Sequence, residues 1–269
     1  MTLANDRIRI IEQHEYYDCG GPPDGPAIVF IHATGWTRKM WQPQMQRLSD
    51  DFRVVSVDLP QHGQLHDVVF RLDDAIEYIH DAIEREVRGQ VLVVGLSLGG
   101  YIATAYAHKY PERVAGLVLC SSSVGFNGAL GMLTRISAWM FSLMVPHMPG
   151  RWLNYFARRQ ASALRENLAP EIAEQQIRAG FSLDAWGQAM GELVSQDFRA
   201  MLRTFPRPVL IVNGEHDAFN RWTEKKHLAT TQQGSLQTVQ GAGHVVNLEH
   251  PDQVAKILRT FAGSLDWRL

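Results

Sequence analysis

The chain is poor in cysteine: its 269 residues include only Cys19 and Cys120, and no Cys-x-x-Cys pair. That scarcity argues against a disulfide scaffold and against a structural zinc site, and both cysteines read as buried thiols. Charge of one sign is also missing, since 26 Lys and Arg face 28 Asp and Glu for a formal net charge of −2. Such a balance offers no footprint for nucleic acid and no basic surface for anionic lipid. Long apolar runs are absent too. The richest stretch, Ile136 to Met148, is interrupted by Ser142, Pro146 and His147 and is too short to span a bilayer, so no stable membrane insertion is expected. Met1 to Arg7 lack the apolar segment of a secretory leader, which makes the cytoplasm the expected location. No repeat period and no low-complexity tract appear.

What is present is the composition of a globular protein, 45% hydrophobic and 20% charged, in a chain long enough for a large core. Ala27 to Ile31, Arg53 to Val57, Val91 to Val94, Gly116 to Cys120 and Val209 to Val212 are continuous runs rich in Val, Ile and Leu. Runs of this kind suit parallel strands covered on both faces. Helical patterns fall between them, at Trp41 to Leu48, Leu72 to Val87, Tyr101 to Tyr110 and Val254 to Phe261. Ile76, Ile79, Ile83 and Val87 give the second of these an apolar stripe. The alternation predicts an α/β fold with a mostly parallel, doubly wound sheet, and Ile8 to Tyr17 predict an antiparallel hairpin at one edge. From about Phe126 to Leu202 nothing reads as a strand, and helical patterns are broken at Pro146, Pro149 and Pro170. This predicts a core of residues 1–125 and 203–269 carrying a helical cap, residues 126–202.

Chemistry concentrates in Gly95-Leu96-Ser97-Leu98-Gly99-Gly100, which follows a strand and opens a helix. A turn this sharp tolerates almost no side chain beside its apex, and it lifts the Ser97 hydroxyl above the sheet next to helix N-terminal N–H groups. A serine so placed needs a base, and the base an orienting acid. His244, in Gly241-Ala242-Gly243-His244 after the strand-like Leu236 to Val239, suits the first role, with His250 as its nearest rival. Asp217, in Asn213-Gly214-Glu215-His216-Asp217, suits the second, with Glu215 and Asp58 as rivals. Both loops leave the carboxyl ends of strands, where open α/β sheets handle ligands.

The order Ser97, Asp217, His244 resembles that of serine α/β-hydrolases, including carboxylesterases and enol-lactonases. Further blocks carry the resemblance: Phe30 to Trp36, Asp58 to Gly63 and the Ser97 helix with its following strand. It implies a nucleophile elbow and an oxyanion hole formed by the N–H groups of Leu98 and Thr34, and no cofactor or metal. Two positions depart from the commoner pattern. Ala33 stands where glycine is usual, which implies a shifted or less sharply turned loop, and Gln61 also replaces a glycine and reads as a surface-loop residue, with contact of Gln61 or His62 to substrate as the alternative. His62 and His66 have helical metal-pair spacing, but Gly63 between them argues against a site.

In the cap, Met132, Leu133, Ile136, Trp139, Met140, Leu143 and Met144 form a stripe expected to pack on the domain below. Trp36, Trp139, Met140 and Met144 are the residues expected to line an acyl pocket. The stripe itself lacks a matching band of Lys and Arg, which counts against a membrane-surface role. The reading is a hydrolase of small-molecule carboxylic esters with small or medium hydrophobic acyl groups. Lactone or carbon–carbon bond hydrolysis with the same residues is the alternative, and a ligand receptor on the same fold lies behind it.

Overall fold

The five apolar runs form the middle of one sheet. The computed structural model describes residues 11–123, 125, 128–182 and 185–267. Eight strands run β1 (Ile11–Gln13), β2 (Tyr17–Gly20), β3 (Ala27–Ile31), β4 (Arg53–Val57), β5 (Val91–Leu96), β6 (Val114–Cys120), β7 (Pro208–Gly214) and β8 (Gln233–Val239). Their spatial order is β1-β2-β4-β3-β5-β6-β7-β8. The β1–β2 and β2–β4 pairs are antiparallel, and every pair from β4–β3 to β7–β8 is parallel. The expected edge hairpin is therefore present, shifted toward Gly20. Ile8 to Ile10 and the proposed cap boundary at Phe126 lie outside the described residues.

Successive side chains of a strand point to opposite faces, so each central strand feeds two cores. Val29 and Ile31 join one cluster, with Ile76, Ile79 and Ile83 of α2 (Leu72–Glu86) and Ile102 and Tyr106 of α3 (Leu98–Lys109). Ile28 and Phe30 join the other, with Met45 and Leu48 of α1 (Gln42–Leu48) and Val254 and Leu258 of the C-terminal helix Pro251–Gly263. Two boundaries moved. α3 begins at Leu98 rather than Tyr101, because packing overrides the poor helix propensity of Gly99 and Gly100. The C-terminal helix starts at Pro251, whose fixed φ suits a first helical position.

Between β6 and β7 the chain builds α4 (Gly128–Met144), α5 (Gly150–Asn167), α6 (Pro170–Ala179), α7 (Ala185–Leu193) and α8 (Phe198–Thr204), with no strand among the described residues. After β7 come α9 (Ala218–Leu228), α10 (Val246–Glu249) and α11, the C-terminal helix. The expectation that the apolar stripe of α4 packs downward is overturned: Met132, Trp139 and Met144 are 61%, 64% and 59% exposed. The inward face of α4 is built instead from buried Gly131 and Ala138, with Phe141 edge-on to Trp186 of α7 at 5.3 Å. Small residues let the two helices approach closely and leave the bulky ones outside.

Candidate active site

Ser97 stands between β5 and α3 with φ 54° and ψ −111°, a conformation that an L residue holds only when its surroundings over-determine it. Its N–H donates to the Cys120 carbonyl at the end of β6 (2.9 Å). A Cβ on Gly99 would lie 2.2 Å from the Ile31 carbonyl oxygen, so the loop after β3 rests directly on the first turn of α3. Leu98 opens that helix, and its N–H is among those an α-helix leaves without an internal acceptor.

The loops after β7 and β8 are joined just as closely. A Cβ on Gly214 would meet the Gly243 oxygen at 2.0 Å, and the Glu215 and His216 N–H groups donate to Val239 (3.0 Å) and Ala242 (2.8 Å). This junction brings His244 Nδ1 within 2.8 Å of Asp217 Oδ2. The carboxylate also accepts from the Asn220 amide (2.8 Å) and caps α9 through the Asn220 N–H (3.4 Å). Burial pushes the Asp217 pKa up, but the hydrogen bonds from His244 and Asn220 outweigh it and hold the carboxyl below its ordinary range. His244 itself is about half exposed, at 48% of its side chain, while Asp217 is 7% exposed. The pair thus has a buried anionic end and an open imidazole end.

The rival residues are otherwise engaged. Glu215 accepts from the Gly241 N–H (2.8 Å). Asp58 lies buried against Arg38 and accepts the Arg38 (2.7 Å) and Gln64 (3.0 Å) N–H groups. His250 precedes α11, its ring near Gly241. Sequence reasoning missed Glu249, whose carboxylate accepts the N–H groups of Gly243 and Val245 on either side of His244. The signal available was an acidic residue one turn beyond the histidine loop.

The loop after β3 is shifted, as Ala33 implies. Ala33 is not in the left-handed region; the positive φ falls on Gly35, at 77°. The turn is displaced to a residue without a Cβ, so Ala33 carries no such strain. Thr34 is partly buried in this loop, beside Gly35. The N–H of Gly35 donates to His62 Nε2 (3.0 Å), and the N–H of Leu59 donates to His32 Nε2 (3.0 Å). Gln61 is not a surface residue: it is 5% exposed and left-handed at φ 66°, with its N–H donating to the Leu65 carbonyl (2.8 Å). Both ring nitrogens of His62 are occupied, by Gly35 and by the Pro60 carbonyl (2.8 Å), whereas exposed His66 faces Asp67 (3.1 Å).

A cavity of about 410 Å³ opens beside Thr34 and Gly35 and is walled by Ser137, Phe141, Phe181 and Trp186. Trp36 packs edge-on against Phe181 (5.0 Å). Trp139, Met140 and Met144 do not line it; they are exposed on the outer side of α4, which turns its smaller residue, Ser137, and Phe141 inward. At the far edge of the sheet, His14, Cys19 and Glu86 offer ligand atoms within 4.8 Å of one another. The Arg53 guanidinium bonds both Cys19 Sγ (3.3 Å) and Glu86, so a cation already occupies that cluster.

Residues 28–257 match the model of the alpha/beta hydrolase family. The chain belongs to that family. It is 27% identical to a pimeloyl-[acyl-carrier protein] methyl ester esterase of Nitrosomonas europaea over 244 residues, covering 86% of this chain and 93% of the relative. It is 26% identical to 3-oxoadipate enol-lactonase 1 of Acinetobacter baylyi over 247 residues, covering 91% of each. The biotin biosynthesis bifunctional protein BioHC of Teredinibacter turnerae is matched at 26% identity over 264 residues, 89% of this chain but 45% of that protein. Among solved structures, MenH from S. aureus superposes with a TM-score of 0.78 at 18% identity, over 92% of this chain and 98% of that one. These likenesses support a hydrolase. Among the described residues, no helix is long and apolar enough to cross a membrane.

Proposed function

We propose that the protein hydrolyses carboxylic esters of small or medium hydrophobic acyl groups through an acyl-enzyme on Ser97. The observation that carries this reading is the His244–Asp217 bond of 2.8 Å: it engages Nδ1 and leaves Nε2 as the proton acceptor. Ser97 Oγ attacks the acyl carbon while His244 Nε2 takes its proton. The N–H groups of Leu98 and Thr34 hold the oxyanion, and each such donor contributes on the order of 3 kcal/mol to transition-state stabilisation. The proton passes to the departing alcohol, leaving the acyl group on Ser97. Water, deprotonated by His244, then attacks that carbon, the bond to Ser97 Oγ breaks as His244 returns the proton to that oxygen, and the acid is released. Residues 126–202 act as the cap over the acyl site, and the aromatic walls of the cavity favour a compact hydrophobic group.

Lactone opening with the same residues is the second reading, favoured by the likeness to an enol-lactonase. The test is turnover of a 4-nitrophenyl ester panel beside a lactone and a dienone, with fluorophosphonate labelling of wild type and Ser97→Ala. Ester turnover with labelling lost in Ser97→Ala is expected. Turnover of the dienone alone, or labelling that survives in Ser97→Ala, overturns it.

A further inference from the structure

Bulky apolar side chains are concentrated on one part of this surface. Among the described residues, 14 large hydrophobic side chains are exposed, and 11 of them fall between Met132 and Phe156, on α4 and α5. Ile136, Trp139 and Leu143 recur along α4 at helical spacing, and Trp152, Tyr155 and Phe156 do so on α5. Leu164 is the one buried side chain of α5. Between the end of α4 and the start of α5 lies an apolar groove of about 550 Å³, bordered by Leu143, Met144, His147, Met148, Trp152 and Phe156.

Charge on this segment is mostly of one sign. Residues 128–167, from the start of α4 to the end of α5, contain five Arg and a single acidic residue, Glu166, in a chain whose formal net charge is −2. Arg165 pairs with Glu174, whereas exposed Arg135, Arg151, Arg158 and Arg159 meet no carboxylate among the described residues. Three of these arginines lie on α5 and one, Arg135, on α4 itself. A second copy of the chain is a poor occupant, because a two-fold contact would set this cationic surface against itself. An anionic bilayer is a better one: it offers hydrocarbon to the apolar stripe and phosphates to the arginines, with Trp152 and Tyr155 suited to the boundary between them.

We infer that the α4–α5 face adsorbs in the plane of an anionic lipid surface, its apolar side chains entering the headgroup boundary and its arginines pairing with lipid phosphate. The surface shares α4 with the cavity wall at Ser137 and Phe141, but adsorption through Ile136 and the arginines requires no turnover.

The experiment is sedimentation of the full chain with phosphatidylcholine vesicles, with and without phosphatidylglycerol. Partitioning is expected to be at least about tenfold stronger on the anionic vesicles and to weaken in high salt. Ile136→Glu should reduce binding to both vesicle types, and Arg158→Glu should reduce binding to the anionic ones by about fivefold or more. Both positions are exposed, so melting temperature and turnover of a water-soluble ester should stay at wild-type values. Absence of partitioning, or partitioning that neither variant changes, overturns the inference. So does a dimer at micromolar concentration that Ile136→Glu dissociates, or saturable binding of an acidic protein without vesicle binding.

Discussion

His32 and His62 brace each other's loops. Their rings stand 4.8 Å apart, and each accepts a backbone N–H from the segment that carries the other, Leu59 to His32 and Gly35 to His62. The loop holding Thr34 is therefore suspended between two imidazoles that must keep an unprotonated Nε2 to accept. Burial lowers the His32 pKa to about 4, against the opposing pull of its bond to the Ala33 carbonyl. Burial lowers His227 to about 4 as well.

Acid stability follows from these two groups. Their folded-state pKa values lie below the ordinary 6.5, so the unfolded chain takes up protons that the native state resists. Their contribution is complete above about pH 6.5 and is lost progressively down to about pH 4, by as much as about 3 kcal/mol for each. The midpoint of urea unfolding should fall across this window, more shallowly in His227→Gln. A midpoint that stays constant or rises from pH 7 to pH 4 would contradict the assignment.

Ser97 combines strain with the proposed nucleophile. Ser97→Ala and Ser97→Gly should each lower ester turnover by at least about 10⁴-fold. Only the glycine variant removes the strain of a Cβ at φ 54°, so it alone should gain stability, by about 1 kcal/mol. Equal melting temperatures for the two variants would show that the elbow stores no strain. Asp217→Asn should leave the fold intact and lower kcat about 10³- to 10⁴-fold.

Glu249 is a positioning residue in this reading, since it grips the N–H groups flanking His244. Glu249→Ala should lower kcat by about 10²-fold through misplacement of the imidazole, and Glu249→Gln, which keeps one acceptor, should fall between. The readout is kcat against KM: a purely structural role would lower the melting temperature and leave kcat per folded molecule unchanged.

Arg38 sits buried between two carboxylates, Asp18 (2.9 Å) and Asp58. Arg38→Met would strand the Asp58 carboxylate, while Asp18 keeps Lys39 (2.7 Å), and should destabilise by about 3–5 kcal/mol, read by chemical unfolding. Asp58→Asn in the same background should recover part of the loss. No recovery would place the cost in packing rather than in charge.

In the loop after β3, Gly35→Ala should cost at least about 1 kcal/mol because position 35 is left-handed, and it should shift the Thr34 N–H and lower kcat. Ala33→Gly should change turnover little, since Ala33 is not left-handed. The reverse ranking of the two variants in kcat would place the left-handed turn at Ala33 instead.

The readable parts of the molecule were those governed by local pattern. Runs of β-branched residues marked the central strands because burial on both faces leaves no polar alternation. The glycines around Ser97 marked the elbow because its close contacts admit no Cβ. Asp217 and His244 stood out because each follows a strand in a short loop. Glu249, Gln61 and the outward stripe of α4 were not legible in the same way. Each depends on which neighbour a segment meets, and one sequence without its packing does not state that.

By itself the sequence determined the α/β class, the turn at Ser97 and a short list of acids and imidazoles that holds Asp217 and His244, because these rest on periodicity, steric size and residue chemistry close along the chain. The tertiary structure decided which side of α4 faces the cavity, where the left-handed turn falls after β3, that Asp217 rather than Glu215 or Asp58 meets His244, and that the bulky apolar side chains of α4 stay exposed. Those outcomes are set by contacts between segments far apart in sequence, where small residues such as Ala138 and Gly214 permit close approach and larger ones are turned away.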